Sequence, residues 1–191
     1  MKRLLFLLII TAAATKLNAQ GLRMELKHDG FVSSADSTKN YAVLEYPKVS
    51  KADLYKRTLT YVNSLYQNPA KVISAVDGES ITINALMTDI KTRLSWYKYE
   101  FYYNIVIQFK DGKLRFEPKF VELIEDPNPS PKRKVYLSDT DSKKNGEINC
   151  IFFKGNNDGK YHVLAHEIKQ NLDAWANGYL AGVDKALNDK W

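Results

Sequence analysis

The clearest pattern in the chain is an alternation that runs from Trp96 to Lys110. Tyr97, Tyr99, Phe101, Tyr103, Ile105, Ile107 and Phe109 share one parity, while Trp96, Lys98, Glu100, Tyr102, Asn104, Val106, Gln108 and Lys110 share the other. Successive side chains of a strand point to opposite faces, so this segment predicts one buried face and one wet face. Asp111-Gly112 follows and reads as a two-residue hairpin turn of the primed type. Such a turn sets Phe109 opposite Leu114, Ile107 opposite Phe116, Gln108 opposite Arg115 and Val106 opposite Glu117. Both parities then agree across the two strands. The second strand is expected to run on toward Ile124.

Other periods frame this hairpin. Gly21 to Asn40 is polar and broken by Asp29-Gly30, and predicts an N-terminal arm with one short strand near 22–26. Tyr41 to Tyr46 predicts a core strand, ended by Pro47. Ser50 opens a helix: its hydroxyl can accept from the amide of Asp53, whose charge also suits the first turn. Tyr55, Leu59, Val62 and Tyr66 mark one face of that helix, and Asn68-Pro69 stops it. Lys71 to Val76 and Ser80 to Met87 read as strands. Residues 126–145, with three prolines and Lys132-Arg133-Lys134, read as a loop. Glu147 to Phe153 predicts a last strand. From Tyr161 to about Asn188, Tyr161, Leu164, Ala165, Ile168, Leu172, Trp175, Tyr179 and Val183 carry a helical stripe. His162, His166, Lys169, Asp173 and Asn177 fall on the opposite side. This order predicts an α+β protein: a curved antiparallel sheet of about five strands with two helices on one face and the other face open.

The ends and the composition refine that picture. Lys2 and Arg3 precede an apolar run from Leu4 to Ala14, and Leu17-Asn18-Ala19 suits cleavage before Gln20. The run is too short for a stable bilayer span and fits a signal peptide. Residues 20–191 are then one domain, exported to the periplasm or beyond, with no membrane span of their own. Removing Lys2, Arg3 and Lys16 lowers the formal charge from +6 to +3. So mild a charge on an exported chain does not suggest nucleic acid. Cys150 is the single cysteine, which rules out an internal disulfide; its apolar neighbours suggest a small buried residue.

Two motifs resemble a known family. Ser50-Lys51-Ala52-Asp53-Leu54-Tyr55-Lys56-Arg57 is similar to the helix start of domain-of-unknown-function family 4468. Tyr97-Lys98-Tyr99-Glu100-Phe101, Ile105 to Lys110 and Asp111-Gly112-Lys113-Leu114-Arg115-Phe116 are similar to its hairpin. The resemblance covers roughly residues 31–125. It implies export from a diderm anaerobe and a TATA-binding-protein-like fold. It implies no activity, so it assigns no functional residue.

Few constellations could carry chemistry. His162 and His166, four apart on the expected helix, could share a metal or act as acid–base groups, but the order His-Glu-x-x-His is absent. Asp139, Asp141, Asn145 and Glu147 lack the spacing of a calcium loop, which needs a ligand where Lys143 stands. There is no Gly-rich phosphate cradle and no Gly-x-Ser-x-Gly elbow. Glu100 and Glu117 are expected to pair across strands with Lys98, Arg115 and Lys119. No cofactor, metal site or catalytic residue is expected. The open sheet face would set Trp96, Lys98, Tyr102, Asn104, Gln108, Arg115, Glu117 and Lys119 side by side. Rings that stack and amides that orient suit a glycan, a peptide or an envelope protein. The sequence therefore points to a non-catalytic binding protein of the cell envelope. The other readings are an enzyme built on His162 and His166, and an accessory subunit acting through an exposed apolar strip of the last helix near Leu180.

Overall fold

A computed structural model describes residues 22–88, 90, 97–127, 131–138, 151–156, 160–163 and 165–189. Its centre is the hairpin of β6 (Tyr97–Lys110) and β7 (Lys113–Pro127). All four expected cross-strand pairs are present, from Phe109 opposite Leu114 to Val106 opposite Glu117. Around it lie β5 (Ser80–Met87) and β4 (Ile73–Val76) on one side, and β8 (Arg133–Ser138), β9 (Ile151–Gly155) and β10 (Tyr161–Val163) on the other. β3 (Ala42–Glu45) pairs with the first part of β7, and β8 pairs further along the same edge. The sheet thus has eight strands among the described residues rather than about five, and β8 runs parallel to β9 within an otherwise antiparallel sheet. The α+β class holds.

β7 contains a bulge. Tyr102 pairs with Glu122 and Tyr103 with Phe120, which leaves Val121 as an extra residue. One inserted residue exchanges the faces, so Leu114 and Phe116 are buried before it and Leu123 after it. The reading of 126–145 as a loop is corrected as well. Among its described residues, β7 extends through Pro127 and β8 occupies 133–138, where Val135-Tyr136-Leu137 supplies strand-forming residues; 128–130 and 139–145 lie outside the described residues. Lys132 reaches Glu100 (2.5 Å), Arg133 pairs with Glu125, and Lys134 reaches Glu122 (3.0 Å), so the basic triplet fastens this stretch to the hairpin.

The hairpin turn also departs from expectation. Gly112 has φ of 71°, but Asp111 does not have positive φ, which is the pattern of a type II turn and not of a primed one. Tertiary bonds override the local preference. Tyr46 N donates to the Gly112 carbonyl (2.6 Å), Gly112 N donates to the Val49 carbonyl (3.0 Å), and Lys51 N donates to the Asp111 carboxylate (2.9 Å). A Cβ at 112 would lie 3.3 Å from the Pro47 backbone. Gly112→Ala is therefore expected to cost roughly 1–3 kcal/mol, read as a lowered denaturation midpoint; an unchanged midpoint would contradict this account of the turn.

Both helices cover the odd-numbered face of β6. α1 (Lys51–Ser64) starts as expected, with Ser50 Oγ accepting from Asp53 N. Its buried line is Leu54, Thr58 and Val62, one position round from the expected Tyr55, Leu59 and Val62, and Tyr55 meets Phe109 edge-on at 5.5 Å. Asn68-Pro69 begins a further turn, α2 (Pro69–Val72), so β4 starts at Ile73 and not at Lys71. α3 (His166–Asn188) buries Ile168, Leu172, Ala176, Tyr179, Leu180, Val183 and Leu187, and Trp175 packs on Phe101 and Tyr103. Gly182 is where α3 meets α1: a Cβ there would overlap the Tyr61 hydroxyl and lie 2.7 Å from Cζ. Gly182→Ala should destabilise the native protein despite a helix-propensity gain of about 1 kcal/mol, and should stabilise a Tyr61→Ala background. The same sign in both backgrounds would refute this contact.

The N-terminal arm is a docked hairpin of β1 (Met24–Lys27) and β2 (Gly30–Ser33), with Met24, Leu26 and Phe31 buried. It lies on the side of α3 that the sequence gives as polar. Asn177 accepts from Met24 N and donates to the Met24 carbonyl (2.9 Å each), and Asp173 accepts from Leu26 N (2.7 Å). Lys169 bridges Glu25 and Asp173. These side chains satisfy a strand edge in place of another strand.

Candidate functional site

The register places seven of the eight expected residues on the sheet face opposite the helices. Lys98, Tyr102, Asn104 and Gln108 share the outward parity of β6, and Arg115 and Lys119 lie opposite Gln108 and Asn104 on β7. Trp96 lies outside the described residues, as do Cys150 and the oxygen donors at 139, 141, 145 and 147.

Rows across the sheet follow from the pairings. Val43, Arg115, Gln108 and Ser80 form one row; Lys119, Asn104 and Asn84 form another, in which Asn104 donates to Asn84 (2.8 Å). Glu122, Tyr102 and Leu86 form the next. Leu86 is 43% exposed, Tyr102 37%, the bulged Val121 56% and Val76, opposite Ser80 on the edge strand β4, 61%, so four large apolar side chains stand out from a mostly polar face. Leu86 could have been read from the alternation of Ser80 to Met87. Val121 could not, because nothing in the sequence marks the bulge.

Glu117 differs from expectation. It is only 9% exposed, because the chain leading into β3 roofs it: Asn40 Nδ2 donates to one carboxylate oxygen (3.0 Å), while Arg115 donates to the other (2.6 Å). Lys119 approaches at 3.4 Å, and the Arg115 guanidinium sits 4.0 Å over the Tyr41 ring. The ion pairs run along β7 rather than across strands, and Glu100 pairs with Lys132. Glu117 therefore holds its neighbours in place and is not presented to a ligand.

Residues 41–120 match the family described as "Domain of unknown function (DUF4468) with TBP-like fold". That stretch resembles a DUF4468 domain. It spans β3 through most of β7 and so contains the outer rows from Val43 to Lys119. The fold is similar to that of a TBP-like protein from Parabacteroides distasonis, with a TM-score of 0.55 at 11% identity, over 79% of this chain and 92% of that one. A DUF4468 family protein from Bacteroides ovatus aligns with a TM-score of 0.49 at 13% identity, over 78% of this chain and 85% of that one. No curated protein matches.

Beyond residues 41–120, the paired histidines do not share a helix. His162 lies in β10, opposite Lys154 of β9, and His166 is the first residue of α3. Tyr161 to Ala165 fits a helical stripe and a short alternation equally well, and pairing with β9 decides for the strand. Among the described residues, no three His, Cys, Asp or Glu side chains gather to hold a metal ion, and no helix is long and apolar enough to cross a membrane. Leu180, the centre of the expected apolar strip on the last helix, is 4% exposed and faces the core.

On the helix side, Tyr66, Tyr103 and Tyr179 converge. The Tyr66 hydroxyl is 3.2 Å from that of Tyr103 and 3.3 Å from that of Tyr179. Burial is the main cause that pushes all three phenols above their ordinary range. Burial also raises Tyr46, helped by its bond to the Asp184 carboxylate (2.6 Å). This cluster ties α3 and the segment after α1 to β6.

Proposed function

We propose that the protein is exported after cleavage near Ala19-Gln20 and acts in the cell envelope as a non-catalytic binding protein, with the outer sheet face as its binding surface. The observation that carries this reading is the outward row of Tyr102 and Leu86, flanked by Val121 and by the Asn84–Asn104 amides, on the side away from both helices. Exposed rings and aliphatic groups set among amides give contact area together with orienting hydrogen bonds. The helix surface offers less: His166, Gln170, Ala174, Gly178, Ala181, Lys185 and Asn188 are the exposed positions along α3, small or polar throughout. His162 and His166 lie on a strand and at a helix start, not four apart on one helix.

Affinity capture from the native envelope tests the proposal, with the protein run beside a Leu86→Ala/Tyr102→Ala variant. Both positions are exposed, so the variant should fold. A partner retained by the native protein and lost by the variant supports the outer face. A partner retained equally by both sinks it.

A further inference from the structure

We propose that the end of the outer face nearest the β6–β7 turn binds the carboxylate groups of an acidic oligosaccharide. This deepens the reading above and rests on it. The site is a groove of about 490 Å³ whose lining includes Tyr41, Ser80, Gln108, Lys110, Lys113 and Arg115.

Its charge balance points to an anion. Lys110 and Lys113 face each other directly across the hairpin, and both are exposed. Like charges in directly opposed positions destabilise a sheet. Neither lysine has an ion-pair partner among the described residues. The carboxylate in the lining, Glu79, is already paired with Lys51, and Glu45 of β3, opposite Lys113 on its far side, offsets only that one lysine and leaves Lys110 unbalanced. Arg115 adds a third cation one row away, and only its Nη2 is engaged by Glu117. An oxyanion placed between the two lysines would offset their repulsion and accept charge-assisted hydrogen bonds from both.

The neutral groups decide the class of ligand. Peptides commonly bind sheets by adding a strand to a free edge, where unpaired backbone groups supply most of the affinity. This groove opens on the face of β3, β5, β6 and β7, where side chains and not strand-edge backbone groups are presented. Recognition must come from side chains. The Ser80 hydroxyl and the Gln108 amide stand next to the cations, and the Asn84–Asn104 amides continue the row pattern toward Tyr102. Hydroxyl, amide and ring contacts beside a cation pair match a ligand that carries many hydroxyls and a regularly placed carboxylate.

Titration calorimetry with an oligogalacturonate probe tests this, beside the methyl-esterified oligomer and a polyglutamate peptide of equal charge. The acidic oligosaccharide should bind, and its affinity should fall as salt rises. Lys110→Gln and Lys113→Gln should each weaken it roughly tenfold, while the melting temperature stays level or rises because a like-charge pair has been removed. The methyl ester should bind far more weakly. Loss of binding together with a lowered melting temperature would make the lysines structural and overturn the proposal. Equal affinity for the ester, equal or tighter binding of polyglutamate, or no binding of the uronate would overturn it as well. If envelope capture still depends on Leu86 and Tyr102 while the uronate does not bind, the outer face stands and only the ligand class falls. If neither result appears, both fall.

Discussion

Raised above pH 10, the protein should unfold cooperatively, with phenolate absorbance and loss of tertiary structure appearing in one transition. Tyr46, Tyr103 and Tyr179 are each less than 10% exposed, and burial raises all three above the ordinary value of 10.0. The sign follows from linkage. A phenol raised in the folded state stays neutral there, while the unfolded chain releases its proton near pH 10. The stability it contributes is whole below that value and is lost as pH climbs toward the folded value. Each such group costs about 1.4 kcal/mol per pH unit over that window, so three cost about 4 kcal/mol per unit. Against a domain of ordinary stability, about 5–15 kcal/mol, a loss of this size per unit is enough to drive unfolding as the pH climbs. Tyr66 adds to the effect through its hydroxyl contacts with Tyr103 and Tyr179. Gradual ionisation of these tyrosines with the near-ultraviolet ellipticity unchanged would show that they are not buried as described.

Asn177→Ala should release the N-terminal hairpin from α3 at a cost of about 2–4 kcal/mol. The side chain satisfies both backbone groups of Met24, a residue 1% exposed, and each orphaned buried group costs about 1–3 kcal/mol. Hydrogen exchange is the sharper measurement, because β1 and β2 form a separate two-stranded sheet. Their amides should exchange early in the Ala variant while β5, β6 and β7 stay protected. Low pH should act in the same direction. Burial raises the Glu25 carboxyl, but the bonds to Lys27 and Lys169 outweigh this and hold it below its ordinary value. Its contribution is therefore present above the unfolded value and lost as pH falls through the folded one. A loss of stability under about 0.5 kcal/mol on Asn177→Ala would contradict this account of the docking.

How far the sequence could be read depended on whether local pattern and tertiary contact agreed. The β6–β7 hairpin was legible because fifteen alternating positions and a two-residue turn independently demanded the same register. The type of that turn was not legible, since bonds from Tyr46 and Lys51 and to Val49, distant in sequence, select it. β8 was obscured by prolines and a basic triplet whose charges are met by Glu100, Glu122 and Glu125. Lys169, Asp173 and Asn177 looked like a solvated helix face because a side chain that bonds to a buried backbone edge is as polar as one that bonds to water. At the outer face, parity placed Lys98, Tyr102, Asn104, Gln108, Arg115 and Lys119 together. It could not show that Asn40 and Tyr41 would fold over Glu117 and Arg115, nor that a single bulged residue would set Val121 beside Tyr102.

The outer face is the central claim, and photo-cross-linking in the native envelope tests it most directly. A diazirine side chain replaces Leu86 or Val121 on that face, or Ala181 on the exposed side of α3; all three positions are solvent-exposed, so the three variants should fold alike. The account expects adducts from positions 86 and 121 and none from 181. Adducts from 181 alone, or equally from all three, would place the binding surface on the helices and contradict it.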